Sequence, residues 1–335
     1  MNKLENLTCS YFSVILTGVI LIVSHMSFAT EVQVTDKLMT ELEQQEALLA
    51  EYSQSEALGL EQRISATVAL GDYYGANAMI AVARASRSEY QELRIAAIQA
   101  AAQWQGKAKW DVVSPLLNDP NGLVKNEAVR TLIVLWPVMS QSYIEILEPS
   151  VDEYLDNLPA SLEGDLERAW FYRTQSKHQL SEALYLEMHA TYSDPRISIV
   201  QAEYLNSADK NEQAISVLEV SLFEFPSYAP TYYSLGLAYH RENNSEEAIT
   251  HLERSYEIDP NSTTFGYAYA TLVGVSNPMK AAQVFQDIYE LNPESTYLYA
   301  WCNALLSAGQ AADTCLIELE KVAPKEIVAD LRQRY

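Results

Sequence analysis

The chain has 335 residues, 48% of them hydrophobic, with 22 basic against 45 acidic side chains and a net charge of −23. That apolar content excludes a disordered chain, and the negative charge excludes nucleic acid and anionic lipid as natural partners. No alternating apolar–polar run of useful length occurs, so the chain reads as all-α.

Taken from the N-terminus, an apolar run at residues 11–23 follows Lys3 and precedes Ser27-Phe28-Ala29, small residues where a signal peptidase requires them. The pattern predicts a signal peptide over 1–29, cleaved after Ala29, and export to a bacterial periplasm. An uncleaved anchor is the alternative, although the run is short for a span. Cys9 lies ahead of the run and is not placed as a lipoprotein cysteine. Apart from this segment no membrane span is expected. Residues 30–57 read as an N-terminal capping helix, with Leu38, Leu42, Leu49 and Tyr52 on one stripe. Such a helix either covers the open end of a repeat array or self-associates.

Residues 58–137 carry a regular step. Arg63, Arg94 and Lys125 are 31 residues apart, and Ala66, Ala97 and Ala128 keep the same interval. Leu70, Ala101 and Leu132 follow behind them. Helices over Ala76–Ser86 and Ala108–Leu117 precede the second and third of these segments. The stretch from Val113 through Asp119-Pro120 to Ala128 resembles the HEAT repeat: an apolar helix, an Asp-Pro turn, and a basic residue opening an alanine-rich second helix. A junction at 138–163 contains Pro149, Pro159 and Gly164, and is expected to hold two short helices, Tyr143–Leu147 and Val151–Leu158.

The last half, 164–335, beats differently. Ala183, Ala214, Ala248, Ala281 and Ala312 are each followed twelve positions later by a proline: Pro195, Pro226, Pro260, Pro293 and Pro324. Alanine lets two helix axes approach, and proline ends a helix. One unit is clearest, with Tyr232, Leu235, Gly236 and Tyr239 on one helix and Ala248, Leu252 and Ser255 on the next. This pattern resembles the tetratricopeptide repeat, and the whole chain is therefore expected to be an all-α α-solenoid, HEAT-like units followed by tetratricopeptide units. The resemblance implies a concave groove lined by first-helix residues: Arg168 and Tyr172, then Arg196, Ile199 and Glu203, then Tyr233, Leu237, His240 and Arg241. Their mixed aromatic and cationic character suits a protein or peptide segment as partner.

Chemistry is sparse. The histidines lie outside any metal-ligand spacing, and no Cys-x-x-Cys-His, phosphate loop or nucleophile elbow occurs. We therefore expect no enzyme activity, no metal and no cofactor. Tyr267, Tyr269, Tyr289, Tyr297 and Tyr299 read as core positions, with ligand stacking as the alternative. Cys302 and Cys315 fall on the two helices of the last unit, where they either form a disulfide in an oxidising compartment or sit as small buried core residues. The leading expectation is a periplasmic scaffold that supports an envelope complex, with oligomeric state and partner left open. The order of repeats is also similar to the C-terminal part of some periplasmic multihaem cytochromes, which implies an accessory to such a cytochrome as a second reading. Short HEAT repeats resemble those of bilin lyases, a third and weaker one.

Overall fold

The structure, a computed structural model, describes residues 42–334. The signal segment, Cys9 and Leu38 lie outside the described residues. The chain divides into two units between Asn157 and Leu158, inside the stretch read above as a junction. Among the described residues every regular element is helical.

The N-terminal unit contains α1 (42–54), α2 (Leu60–Ala69), α3 (Ala76–Ala85), α4 (Gln91–Ala102), α5 (Gly106–Val113), α6 (Gly122–Ile133) and α7 (Gln141–Asp156). Helices α2, α4 and α6 stack in succession. Their buried seam is the 31-residue step: Ala66, Ala97, Ala128, Leu70, Ala101 and Leu132 are all shielded from solvent. The alanines let the axes approach, and Trp104 is fully buried, its Nε1 donating to the Tyr73 carbonyl at 2.9 Å.

Two expectations change here. The stripe assigned to the first helix is not the buried one, since Leu42 and Tyr52 are exposed whereas Glu46 and Ser53 are buried. Helix α1 docks through polar bonds instead. Ser53 shares a hydrogen bond with Thr67 at 2.7 Å, and Gln54 donates to the Ala81 carbonyl at 3.1 Å. The Glu46 carboxylate accepts from Ala78 N–H at 2.8 Å. It thereby caps α3, whose N-cap residue Gly75 has no side chain to do so. A Cβ on Gly75 would overlap that carboxylate, so the glycine makes room for the cap.

The second change concerns Pro149, which does not separate two short helices but lies inside the single helix α7. Leu147, Val151 and Leu155 form one buried stripe, while Pro149 is exposed on the opposite side. Burying three such side chains stabilises by about 1.5–3 kcal/mol each, which outweighs the ~3 kcal/mol that an interior proline costs.

The C-terminal unit is a solenoid of helix pairs: α8 (Leu162–Thr174) with α9 (His178–Thr191), α10 (Pro195–Ser207) with α11 (Asn211–Glu224), α12 (Ala229–Arg241) with α13 (Ser245–Ile258), α14 (Thr263–Val273) with α15 (Pro278–Leu291), and α16 (Ser295–Ser307) with α17 (Asp313–Val322). A last helix, α18 (Lys325–Arg334), buries Val328 and Leu331 against the final pair. Within four pairs the turn holds one residue at positive φ: Ser176, Asp209, Asn243 and Gly309. The α14–α15 turn has none and runs instead through Asn277, whose side chain caps α15.

The small-residue beat holds in the second helices of three units, where Ala214, Ala248 and Ala281 are each the fourth residue, whereas Ala312 is the N-cap that precedes α17. Ala214, Ala248, Ala281 and Ala312 are buried, and Pro226, Pro260, Pro293 and Pro324 directly follow the C-cap of each second helix. At the α12–α13 crossing, a Cβ on Gly236 would come within 2.6 Å of the Leu252 side chain and 3.1 Å of the Ala248 carbonyl.

The first unit slips by two residues. Ala183 is exposed, and the buried set on α9 is Ser181, Leu184, Tyr185 and Met188. Helix α9 accordingly ends at Thr191, and Pro195 opens α10 as its first residue behind the Asp194 cap. Proline there starts a helix instead of stopping one.

A candidate partner-binding face on the C-terminal unit

First helices of the C-terminal unit touch one another. Helix α8 packs on α10, and α10 on α12, whereas no two successive second helices pack to that extent. Over these three units the first helices therefore occupy the inner, shorter arc of the stack. Side chains bridge them. Arg173 pairs with Glu203 from α8 to α10, Tyr233 meets Phe265 with ring centroids 5.1 Å apart, and Tyr267 meets Tyr297 at 5.8 Å. The Tyr297 hydroxyl also shares a hydrogen bond with Thr263 at 3.3 Å.

The residues expected to line this arc divide. Tyr233 and Leu237 on α12 are half-buried along it, and His240 and Arg241 are exposed at its end. On α10, Glu203 is engaged by Arg173, and Ile199 packs against the core. Arg196 is held by Asp194 at 2.9 Å and by Glu163 at 3.4 Å, close to its own helix start.

Arg168 and Tyr172 fall elsewhere. Arg168 donates to the Leu158 carbonyl at 2.6 Å and the Pro159 carbonyl at 3.1 Å, and pairs with Asp165 at 2.8 Å. It ties down the leading edge of the unit, and Tyr172 packs against the core. The two-residue slip explains this. Counted back from the left-handed residue of each turn, Trp170 and Arg173 stand where Glu203 and Asn206 stand in the next unit. Ser181 and the Tyr185–Met188 face were the signal that would have set the register.

A concavity lies where α14, α15 and α16 meet. It is an open groove of about 360 Å³, lined by Tyr267, Thr271, Val275, Phe285, Tyr299 and Asn303 among others. None of its fourteen lining residues is charged, in a chain that is 20% charged. Such a floor places no electrostatic demand on what it holds. Of its hydroxyls, Thr271 donates to the Tyr267 carbonyl at 2.7 Å and Ser307 to the Asn303 carbonyl at 2.8 Å, along otherwise apolar walls.

Tyrosines otherwise serve as clips between units. Tyr204 donates to Glu182 at 3.0 Å, Tyr239 to Glu219 at 2.8 Å, and Tyr269 to Glu253 at 2.5 Å. Each hydroxyl belongs to a first helix, and each carboxylate to the second helix of the preceding unit. Burial, then the bonded carboxylate, pushes the phenols of Tyr204 and Tyr239 up to about 12.

His251 is stacked on Tyr239 at 5.4 Å, with the rings 3° from parallel, and on Tyr232 at 6.1 Å. Burial lowers its pKa despite Glu247 and Glu219 nearby. His189 bonds Gln201 at 2.8 Å. Among the described residues no group of three His, Cys, Asp or Glu side chains could hold a metal ion. Cys302 and Cys315, both buried on α16 and α17, have Cα atoms 5.7 Å apart, within the range a disulfide spans. No described helix is long and apolar enough to cross a membrane.

Residues 229–262, the α12–α13 pair, match the tetratricopeptide repeat family. No curated protein matches the chain. Among solved structures it is similar to YrrB, described as a tetratricopeptide-repeat protein with an unusual peptide-binding site, at 13% identity, covering 56% of this chain and 97% of that one with a TM-score of 0.42. It is also similar to PilF of Pseudomonas aeruginosa, at 14% identity over 63% of this chain and 99% of that one, TM-score 0.42. MamA from AMB-1 covers 51% of this chain and 99% of its own, at 15% identity and a TM-score of 0.39.

Proposed function

With its α12–α13 pair matching the tetratricopeptide repeat family, we propose that the chain acts as a non-enzymatic scaffold, holding an extended segment of a partner protein along the first helices of its C-terminal unit. The observation that carries this reading is the uncharged groove between α14 and α16, open to solvent and walled by tyrosines. A neutral, partly apolar floor binds a backbone and apolar side chains, and brings no charged acid–base pair. The setting we propose is the periplasm, reached through the signal over residues 1–29. The 31-residue step of the N-terminal unit supports a HEAT-like array there.

Photocrosslinking from position 271, on the exposed rim of the groove, tests the proposal in the native host. The expected result is a discrete adduct with one envelope protein, lost when Tyr299→Glu puts a charge on the groove wall and kept when the outward-facing Val220→Glu is made instead. An adduct equally indifferent to both changes refutes the groove as the binding face. N-terminal sequencing of the mature protein checks the setting: it should begin at Thr30.

A further inference from the structure

The N-terminal unit repeats one structural device at a 31-residue interval and leaves one copy incomplete. In the complete copy, Arg94 donates through Nε and Nη2 to the two carboxylate oxygens of Asp119, at 2.7 and 3.0 Å. Both side chains are almost wholly buried, 13% and 4% exposed. Asp119 belongs to a turn in which its Oδ1 also accepts from the N–H of Asn121, two residues on, at 2.8 Å.

The same turn occurs 31 residues earlier. Ser88 accepts on its hydroxyl from the N–H of Tyr90, again two residues on, at 3.2 Å. Ser88 therefore stands at the place of Asp119, and Arg63 at the place of Arg94. Serine brings no charge and is shorter than aspartate. Arg63 consequently pairs with no carboxylate among the described residues, and its Nε donates only to the Ser53 carbonyl, at 3.3 Å. An open pocket of about 640 Å³ surrounds it, walled by Leu58, Leu60, Ser88 and Tyr90, with Glu56 and Glu89 exposed around it.

We propose that this pocket is a binding site for an acidic side chain presented by a partner protein, which takes with Arg63 the position that Asp119 takes with Arg94. In the Arg94 pair the carboxylate takes Nε and Nη2, so at Arg63 the incoming carboxylate replaces the Ser53 carbonyl on Nε. Glu56 and Glu89 set the rest of the ligand. Two rim carboxylates repel a purely anionic segment, so the acidic residue is flanked by basic ones. An exposed turn carrying Lys or Arg on either side of an Asp fits both demands. The site is on the N-terminal unit, and its test is separate from that of the C-terminal groove.

The probe is a doubly capped peptide, acetyl-Lys-Asp-Pro-Asn-Lys-amide, titrated into the full chain while the Arg63 Nε–Hε resonance is followed by NMR. Its control replaces the Asp by Asn, and sodium acetate is titrated separately. The expected result is saturable movement of the Arg63 resonance by the Asp peptide, with the Asn peptide weaker by about tenfold or more. Ser88→Asp supplies the missing carboxylate from within the chain; it is expected to raise the melting temperature and to abolish binding, whereas Ser88→Asn leaves binding intact. Equal binding of the two peptides overturns the proposal. So does no movement of the resonance up to ~10 mM peptide, a weak affinity by any standard, or undiminished binding to Ser88→Asp. If acetate matches the peptide in affinity, the pocket is a plain carboxylate site and the assignment to a protein turn is overturned.

Discussion

Replacing Gly236 by alanine should destabilise the α12–α13 repeat, and the same replacement should become favourable once Leu252 is cut back. The reason is a single close approach. A methyl group on residue 236 would sit 2.6 Å from Leu252 Cγ, 3.0 Å from its Cδ2 and 3.1 Å from the Ala248 carbonyl oxygen. Overpacking of this kind costs about 1–3 kcal/mol, and the better helix propensity of alanine returns about 1 kcal/mol of it. Gly236→Ala alone is therefore expected to cost about 1 kcal/mol. Leu252 is fully buried, so Leu252→Ala should cost about 2–5 kcal/mol through lost burial and the void it leaves. In the double variant two of the three clashing atoms are gone, the new methyl occupies part of the void, and the propensity gain stands. The double variant should then be more stable than Leu252→Ala by about 1 kcal/mol, a coupling of about 2 kcal/mol between the sites. Amide hydrogen exchange over residues 229–258 reads the opening free energy of that repeat directly. If the two changes add to within about 0.5 kcal/mol, Leu252 is not what holds residue 236 to glycine, and the account of how these helices cross is wrong.

Three further outcomes are expected. Pro149→Ala should stabilise the N-terminal unit by about 1–3 kcal/mol in denaturant unfolding, by restoring a helix-interior N–H on an exposed position; no gain would show that the proline is compensated locally. His251 is held neutral by burial in the folded chain, so its contribution to stability is present above its ordinary value near 6.5 and is lost as pH falls. The melting temperature of the wild type should drop more between pH 7.5 and 5 than that of His251→Gln, and identical profiles would refute the effect. Cys302 and Cys315 should be joined in protein prepared under oxidising conditions, giving an intact mass lower by two hydrogens than the reduced form. Reduction should then cost about 3 kcal/mol, as expected for a loop of this length.

The repeat architecture of the C-terminal unit was readable because each unit has to bury the same small residue at the same crossing. It was misread where that residue is not alanine. In the first unit the crossing is made by Ser181, while Ala183 lies on the exposed side of the same helix. Alanine is comfortable in either place, so its position alone does not set a register. The error carried directly into Arg168 and Tyr172, which inherited the two-residue offset.

Helix α1 failed for a different reason. Its docking rests on Glu46, Ser53 and Gln54, and a search for an apolar stripe passes over polar contacts. Pro149 reads as a breaker because sequence gives its local cost but not the burial of Leu147, Val151 and Leu155 on the opposite side. The groove at α14–α16 stayed hidden because it is defined by the absence of charge on three elements that only folding brings together.

The tyrosine–glutamate clips run in one direction along the chain. The segment 195–226 supplies Tyr204 to grip the unit before it and Glu219 to be gripped by the unit after it, and the segment 229–260 does the same with Tyr239 and Glu253. Each such segment is thus a link with a hook at one end and an eye at the other. A gene duplication that copied one whole link would insert with both fastenings already matched, and a deletion of one would leave a hook facing an eye. The array is built so that its length can change in evolution without any new joint having to arise.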